Sequence, residues 1–159
     1  ILPLSVLANA AGAELTWDGE NAAARLKLDG AVPPQADYDQ TDLYWLSRII
    51  SAESRGEPLL GQIAVGNVVL NRVASGQFPN TVKEVVFDRK YGVQFEPVSN
   101  GTIYDQPTDS AVLAAKLCLE GAAPVGDSLY FYAPALSAGT WISTSRAYYG
   151  TIGCHKFYG

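Results

Sequence analysis

The 159-residue sequence predicts an α+β fold, mainly helical, on three observations. Apolar residues recur at helical spacing through four stretches between residues 41 and 120. An aromatic, glycine-containing segment at residues 91–101 breaks that pattern, and short aromatic runs such as L-Y-F-Y after Ser128 alternate at the two-residue period of a strand. With 48% hydrophobic and 17% charged residues, the chain holds enough apolar material for one sizeable core and a small appendage.

Taken in order, P-L-S-V-L-A-N-A-A-G reads as a short amphipathic helix stopped by Gly12. Residues 14–29 alternate loosely around Asp18-Gly19, a dipeptide suited to a tight hairpin turn. Residues 1–30 are too few for an independent domain and should pack on something else. Paired prolines, Pro33 and Pro34, mark residues 31–40 as an extended linker. The main domain is expected over 41–159, with helices at about 41–55, 58–75, 80–88 and 108–120. Thr41, Pro58, Asn80 and Thr108 are the expected helix openers. Residues 91–101 suit a small hairpin or loop, and the tail from Ser128 suits strands or ordered loops lining a surface. No internal repeat is present.

Charge and cysteine content exclude several function classes. A net charge of −5 with eleven scattered basic residues offers no footprint for a nucleic-acid partner. No apolar run reaches the ~18 to 20 residues of a transmembrane segment, and the opening lacks the basic flank of a signal peptide. Any export signal is therefore expected to lie outside this sequence or to have been removed. Two cysteines and one histidine are too few for a structural zinc site, and no metal or other cofactor is expected. Cys118 and Cys154 are either buried thiols or one disulfide, which an exported protein would keep and which would add about 3 to 4 kcal/mol in the chain-entropy description.

One residue stands on the wrong side of its helix. Leu46, Ile49 and Ile50 mark the inward face of the first main helix, and Glu53 follows them by seven, four and three residues. Its carboxylate is thus directed toward the core, where desolvation disfavours the charged form and keeps an acid protonated near neutral pH. The alternative is a buried pair with Arg55 or Arg72. Gly56 and Pro58 place Glu53 in a last turn that opens at a helix junction, a position both shielded and reachable.

These residues also carry a resemblance. A-E-S-R-G-E-P at 52–58, G-Q-I-A-V-G-N-V-V-L-N-R-V at 61–73 and F-P-N-T at 78–81 resemble the cell wall hydrolase family of the spore cortex-lytic enzymes, of the SleB and CwlJ type. The similarity continues through F-E-P-V-S-N-G, Y-F-Y-A-P and I-G-C-H-K-F, covering nearly all of 41–159. E-S-R-x-x-P is also similar to the first motif of lytic transglycosylases, which implies a lysozyme-like fold of the goose type with a small β-hairpin beside the cleft. The resemblance implies Glu53 as catalytic acid. Y-G-V-Q-F at 91–95 is similar to that fold's glutamine hairpin, which puts Gln94 opposite Glu53. The beginning, P-L-x-x-L-A-x-x-x-G-A-x-x-x-W-D, resembles the end of a copper amine oxidase N-terminal-like stalk module and implies no copper chemistry.

The expected substrate is therefore peptidoglycan glycan, and the expected setting is extracellular, in cell wall or spore cortex. Glycosidase chemistry ordinarily uses two carboxyl groups. Glu57, Glu96, Asp105 and Asp109 are candidates for a second, each read more readily as a cap, loop or surface charge. N-acetylmuramic acid supplies its own nucleophile in the C6 hydroxyl, so Glu53 alone suffices for lytic transglycosylation of the MurNAc-GlcNAc β-1,4 bond. Water attacking instead makes the enzyme an N-acetylmuramidase. Phe95, Tyr130, Tyr132 and Trp141 are candidate sugar platforms, and Ser54 a candidate hydrogen-bonding partner of the acid or an acetamido group. Tyr130 and Tyr132 should share one strand face, with Phe131 on the other.

Rival readings are an amidase or peptidase, or an inactive wall-binding module. A zinc amidase needs more ligands than His155 provides. A Cys118–His155 peptidase lacks an electropositive setting for its thiol, and His155 reads better as a structural tail residue. A monomer is expected.

Overall fold

In a computed structural model the described residues are 3–29, 38–136 and 140–159. The expected linker at 31–40 lies outside them up to residue 37. The helix α1 spans Leu4–Ala11 and ends at Gly12, whose φ of 64° is the left-handed conformation glycine adopts freely. β1 (Glu14–Asp18) and β2 (Ala23–Lys27) form the antiparallel hairpin predicted after it. The turn differs from expectation. Residues 19–22 make a four-residue loop, because the Asp18 carboxylate accepts from the amides of Glu20 and Asn21 at 3.2 Å and holds the chain open there.

The predicted helices of the main domain form, the first shifted one residue toward the N-terminus and the other three trimmed at both ends. They are α2 (Gln40–Ser54), α3 (Leu59–Ala74), α4 (Val82–Val86) and, later, α6 (Asp109–Leu119). Pro58 and Thr108 open α3 and α6 as expected. Two caps are corrected: Asp39 caps α2 in place of Thr41, and Thr81 caps α4 in place of Asn80. In each case the neighbouring side chain accepts the orphan amides, Asp39 from Thr41 and Asp42, Thr81 from Glu84.

α2, α3 and α6 pack mutually around Leu46, Ile49, Ile50, Ile63, Val69 and Leu117, all essentially solvent-free. Gly66 permits the tight approach: a Cβ there would meet Cys118 Sγ and Ile50 Cδ1, each at 2.7 Å. α1 docks on α6, with half-buried Val6 packed against the helical core and Ala8 buried on the same helix.

A second sheet completes the fold. β3 (Tyr130–Tyr132), β5 (His155–Tyr158) and β4 (Tyr148–Ile152) are antiparallel in the order β3-β5-β4, with α7 (Thr140–Ser145) before β4. Phe131 lies opposite Phe157 and turns inward. A polar ladder on α3 holds the approach to this sheet: Asn67 Oδ1 accepts from the Val125 amide at 3.3 Å, Asn71 Nδ2 donates to the Gly126 and Ser128 carbonyls at 2.7 and 2.9 Å, and Arg72 Nε donates to Leu129 at 2.7 Å. Among the described residues no helix is long and apolar enough to cross a membrane.

Candidate active site

The end of α2 and the start of α3 are joined to the tip of the β4–β5 hairpin by one side chain. Glu57 Oε2 accepts from the Cys154 amide at 2.9 Å, and Gly153, at φ 58°, lies so close that a Cβ would overlap that oxygen. Glu57 is thus a clasp between helix break and sheet, not a second carboxylate facing the acid. The clasp brings His155, the first residue of β5, to the cavity wall that Glu53 also forms.

That cavity, of about 350 Å³, is bounded by Glu53, Arg72, Gln94, Glu96, Tyr132 and His155. Two further cavities adjoin it. Gln94 is shared with an aromatic one that contains Tyr130 and Trp141, while Glu53 and Glu96 are shared with a charged one that contains Arg48 and Arg55. Glu53 therefore stands inside a continuous groove rather than at its end.

Burial pushes the Glu53 carboxyl up to about 7, with the negative charge of Glu96 acting in the same direction and the Arg72 cation opposing both. Among the described residues no ion pair within 4 Å joins Glu53 to an arginine. Arg72 is only 5% exposed. Its guanidinium lies 5.0 to 5.6 Å from the ring centres of Phe78, Phe95 and Tyr130, and burial lowers its pKa to about 10. Arg72 Nη1 and His155 Nδ1 are both buried without a hydrogen-bond partner, so this wall keeps unused polar capacity. Burial also lowers the His155 pKa, favouring a neutral ring.

The other predicted positions divide. Gln94 is half-buried in the groove, its amide nitrogen donating to the Gly92 carbonyl at 3.2 Å. Tyr132 lines the central cavity and stacks on Tyr158 with centres 5.8 Å apart; Tyr130 and Trp141 meet edge to face at 5.6 Å in the aromatic one.

Ser54 is a correction. Its hydroxyl donates to the Ile50 carbonyl at 2.7 Å inside the helix and is buried, so it faces neither acid nor groove. Phe95, at 3% exposure, belongs mostly to the core and to the ring cluster around Arg72, and what remains of its surface lines the central cavity beside Gln94. Of the hairpin or loop expected at 91–101, residues 91–95 take the loop, turning at Gly92, φ 99°, and the segment then departs from expectation by entering a short helix, α5 (Glu96–Asn100). The small β-hairpin beside the groove is β4–β5, within the β3-β5-β4 sheet, with His155 at the groove wall. Cys118 and Cys154 are free, one buried and one exposed, so the disulfide reading is overturned. Cys118 Sγ donates to the Ile63 carbonyl within the helical core, and burial raises its pKa to about 12.

Glu96, expected as a cap, loop or surface charge, is exposed and borders the same two cavities as Glu53. Arg72 and His155 also emerge as groove residues. Asp105 lines the charged cavity, and Asp109 occupies the first turn of α6. Among the described residues no group of three His, Cys, Asp or Glu side chains gathers to hold a metal ion.

Comparison with known proteins adds the following. The sequence profile of the family described as Cell Wall Hydrolase matches residues 56–158, beginning three positions after Glu53. The spore cortex-lytic enzyme of Bacillus cereus is 41% identical over 120 residues, 76% of this chain and 45% of that protein. Cell wall hydrolase CwlJ of Oceanobacillus iheyensis is 30% identical over 103 residues, covering 61% of this chain and 72% of the relative. The solved catalytic domain of the germination-specific lytic transglycosylase SleB from Bacillus anthracis superposes with a TM-score of 0.70 at 40% identity, over 80% of this chain and 100% of that one. The corresponding SleB domain of Bacillus cereus gives 0.69 at 39% identity, over 78% and 94%. The chain spans less than half the length of the spore cortex-lytic enzymes it matches.

Proposed function

The chain belongs to the cell wall hydrolase family, with a lysozyme-like α+β fold, and from that premise we propose that it is a peptidoglycan lytic transglycosylase with Glu53 as its acid and base. The catalytic unit is residues 41–159, and residues 1–30 belong to a stalk-like module. The enzyme acts as a monomer outside the cell, on cell wall or spore cortex glycan.

The observation that carries the reading is the Glu53 carboxyl, held by burial at a pKa near 7 within an open groove and without an ion-pair partner among the described residues. Protonated, it donates to the glycosidic oxygen between MurNAc and GlcNAc as the C1–O bond breaks. The resulting carboxylate accepts the C6 hydroxyl proton while that oxygen bonds to C1, leaving a 1,6-anhydro end and a restored acid. Tyr132, Gln94 and Trp141 border the groove where the sugars would lie. Arg72 supports the ionised half of the cycle, since its positive charge opposes the upward shift of Glu53.

A hydrolytic muramidase is the second reading, and Glu96 favours it. This carboxyl borders both cavities that Glu53 borders, which supplies the second carboxyl group that a hydrolytic mechanism ordinarily uses. Digestion of purified peptidoglycan by wild type, Glu53→Gln and Glu96→Gln, with mass spectrometry of the new ends, separates the two. Anhydro-muramic ends that vanish only with Glu53→Gln support the transglycosylase. Ordinary reducing ends that need both carboxyls select the muramidase, and undiminished cleavage by Glu53→Gln rejects the assignment.

A further inference from the structure

Resting on that glycan-cleaving reading, we propose that the aromatic cavity beyond Gln94 is a carboxylate seat, in which Lys90 and Arg146 bind an anionic group carried by the strand. The cavity, of about 510 Å³, is walled by Phe78, Tyr91, Tyr130 and Trp141 together with the two cations. The chain has more acidic than basic residues, sixteen against eleven. Even so, among the described residues this lining contains no Asp or Glu, whereas each of the two neighbouring cavities contains Glu53 and Glu96.

Both cations are held by rings rather than by counter-ions. Lys90 Nζ lies 5.1 Å from the Tyr91 ring centre. Arg146 Cζ lies 4.6 Å from that of Tyr130, and its Nη2 donates to the Tyr130 hydroxyl at 3.1 Å. Among the described residues no carboxylate lies within 4 Å of either charged head, the nearby Asp88 carboxylate accepting instead from the Lys90 backbone amide at 2.9 Å. A ring face orients a cation without neutralising it, so the full positive charge stays available to an incoming anion.

A pyranose fits such walls by stacking, and a carboxylate beside it would meet the Lys90 ammonium and Arg146 guanidinium. Two parts of a muramyl strand offer that chemistry: the free lactyl group of an unsubstituted muramic acid, and a carboxylate of a peptide stem. Because Gln94 borders this cavity and the one with Glu53, a strand lying across the acid passes this seat.

The test compares strands bearing peptides, strands stripped of peptide with free lactyl carboxylates, and strands whose carboxylates are all converted to amides. Wild type is expected to show a KM about tenfold higher on the amidated strands, the scale of two partly exposed charge contacts. In the double variant Lys90→Gln/Arg146→Gln the ratio falls to near one. Both side chains are exposed, and an unchanged thermal transition verifies that the variant is folded. A preference for peptide-bearing strands assigns the stem carboxylate, and a preference for stripped strands the lactyl one. Equal wild-type KM on charged and amidated strands, or a double variant that keeps the wild-type ratio, overturns the seat. The same ratio measured as affinity on Glu53→Gln decides the seat without turnover, so absence of any new glycan ends with wild type counts against the glycosidase reading alone.

Discussion

Glu53 and Arg72 carry the same signature on adjacent helices. Glu53 follows Leu46, Ile49 and Ile50 by seven, four and three residues; Arg72 follows Val65, Val68 and Val69 by the same intervals. Each charge is therefore turned inward by an apolar stripe, and both reach the same cavity. The periodicity that singles out Glu53 would have found Arg72 equally well. Ser54 misleads because residue type suggests a role, whereas a serine near a helix end bonds its own i−4 carbonyl. The raised Glu53 pKa binds a proton more tightly in the folded than in the unfolded chain, whose reference is 4.5. Its contribution is fully present below that value and is lost as pH rises through about 7. Glu53→Gln should accordingly match wild-type stability at pH 4 and exceed it at pH 8 by on the order of 3 kcal/mol, read from denaturant midpoints. Glu96→Gln removes a charge that raises Glu53, so the alkaline fall of kcat/KM should move to lower pH; a limb that stays in place or moves up contradicts the coupling.

At the scale of elements, the long helices follow from their apolar spacing and their breaks from Gly56 and Pro58. The loop at 91–95 does not follow so simply. Its aromatic and glycine content allows a small hairpin or a loop, but Glu96-Pro97 is a helix opening, and Pro97 in the first turn of α5 draws the chain out of any ladder. Helix crossing adds a constraint invisible in one helix alone. Gly66 leaves room for Cys118 and Ile50 where α3 meets α2 and α6. Gly66→Ala gains helix propensity yet forces both neighbours to move, and should lower stability by about 1 to 3 kcal/mol. A thermal transition raised by that substitution would show the crossing to be looser than described. The Glu57 clasp belongs to this scale too, since its carboxylate links a helix junction to a hairpin tip 97 positions away.

For the whole molecule, the appendage is joined to the core rather than free. Ala8 is 1% exposed, and α1 lies on α6. Ala8→Asp would bury a carboxylate without a partner, and should lower the transition temperature while leaving the groove geometry unchanged; equal transition temperatures for variant and wild type would mean that α1 does not share the cooperative unit. The free thiols give a separate expectation: reductant should leave thermal stability as it is, whereas a bridged protein would lose some. From its pattern alone the chain determined the mainly helical class, the helix positions and the inward turn of one acid, because apolar spacing is written within each segment and acts locally. Tertiary structure alone decided that Glu96, Arg72 and His155 join Glu53 in one cavity, and that Cys118 and Cys154 stay apart. Which groups meet depends on how separate segments cross and dock, and no periodicity within a single segment carries that information.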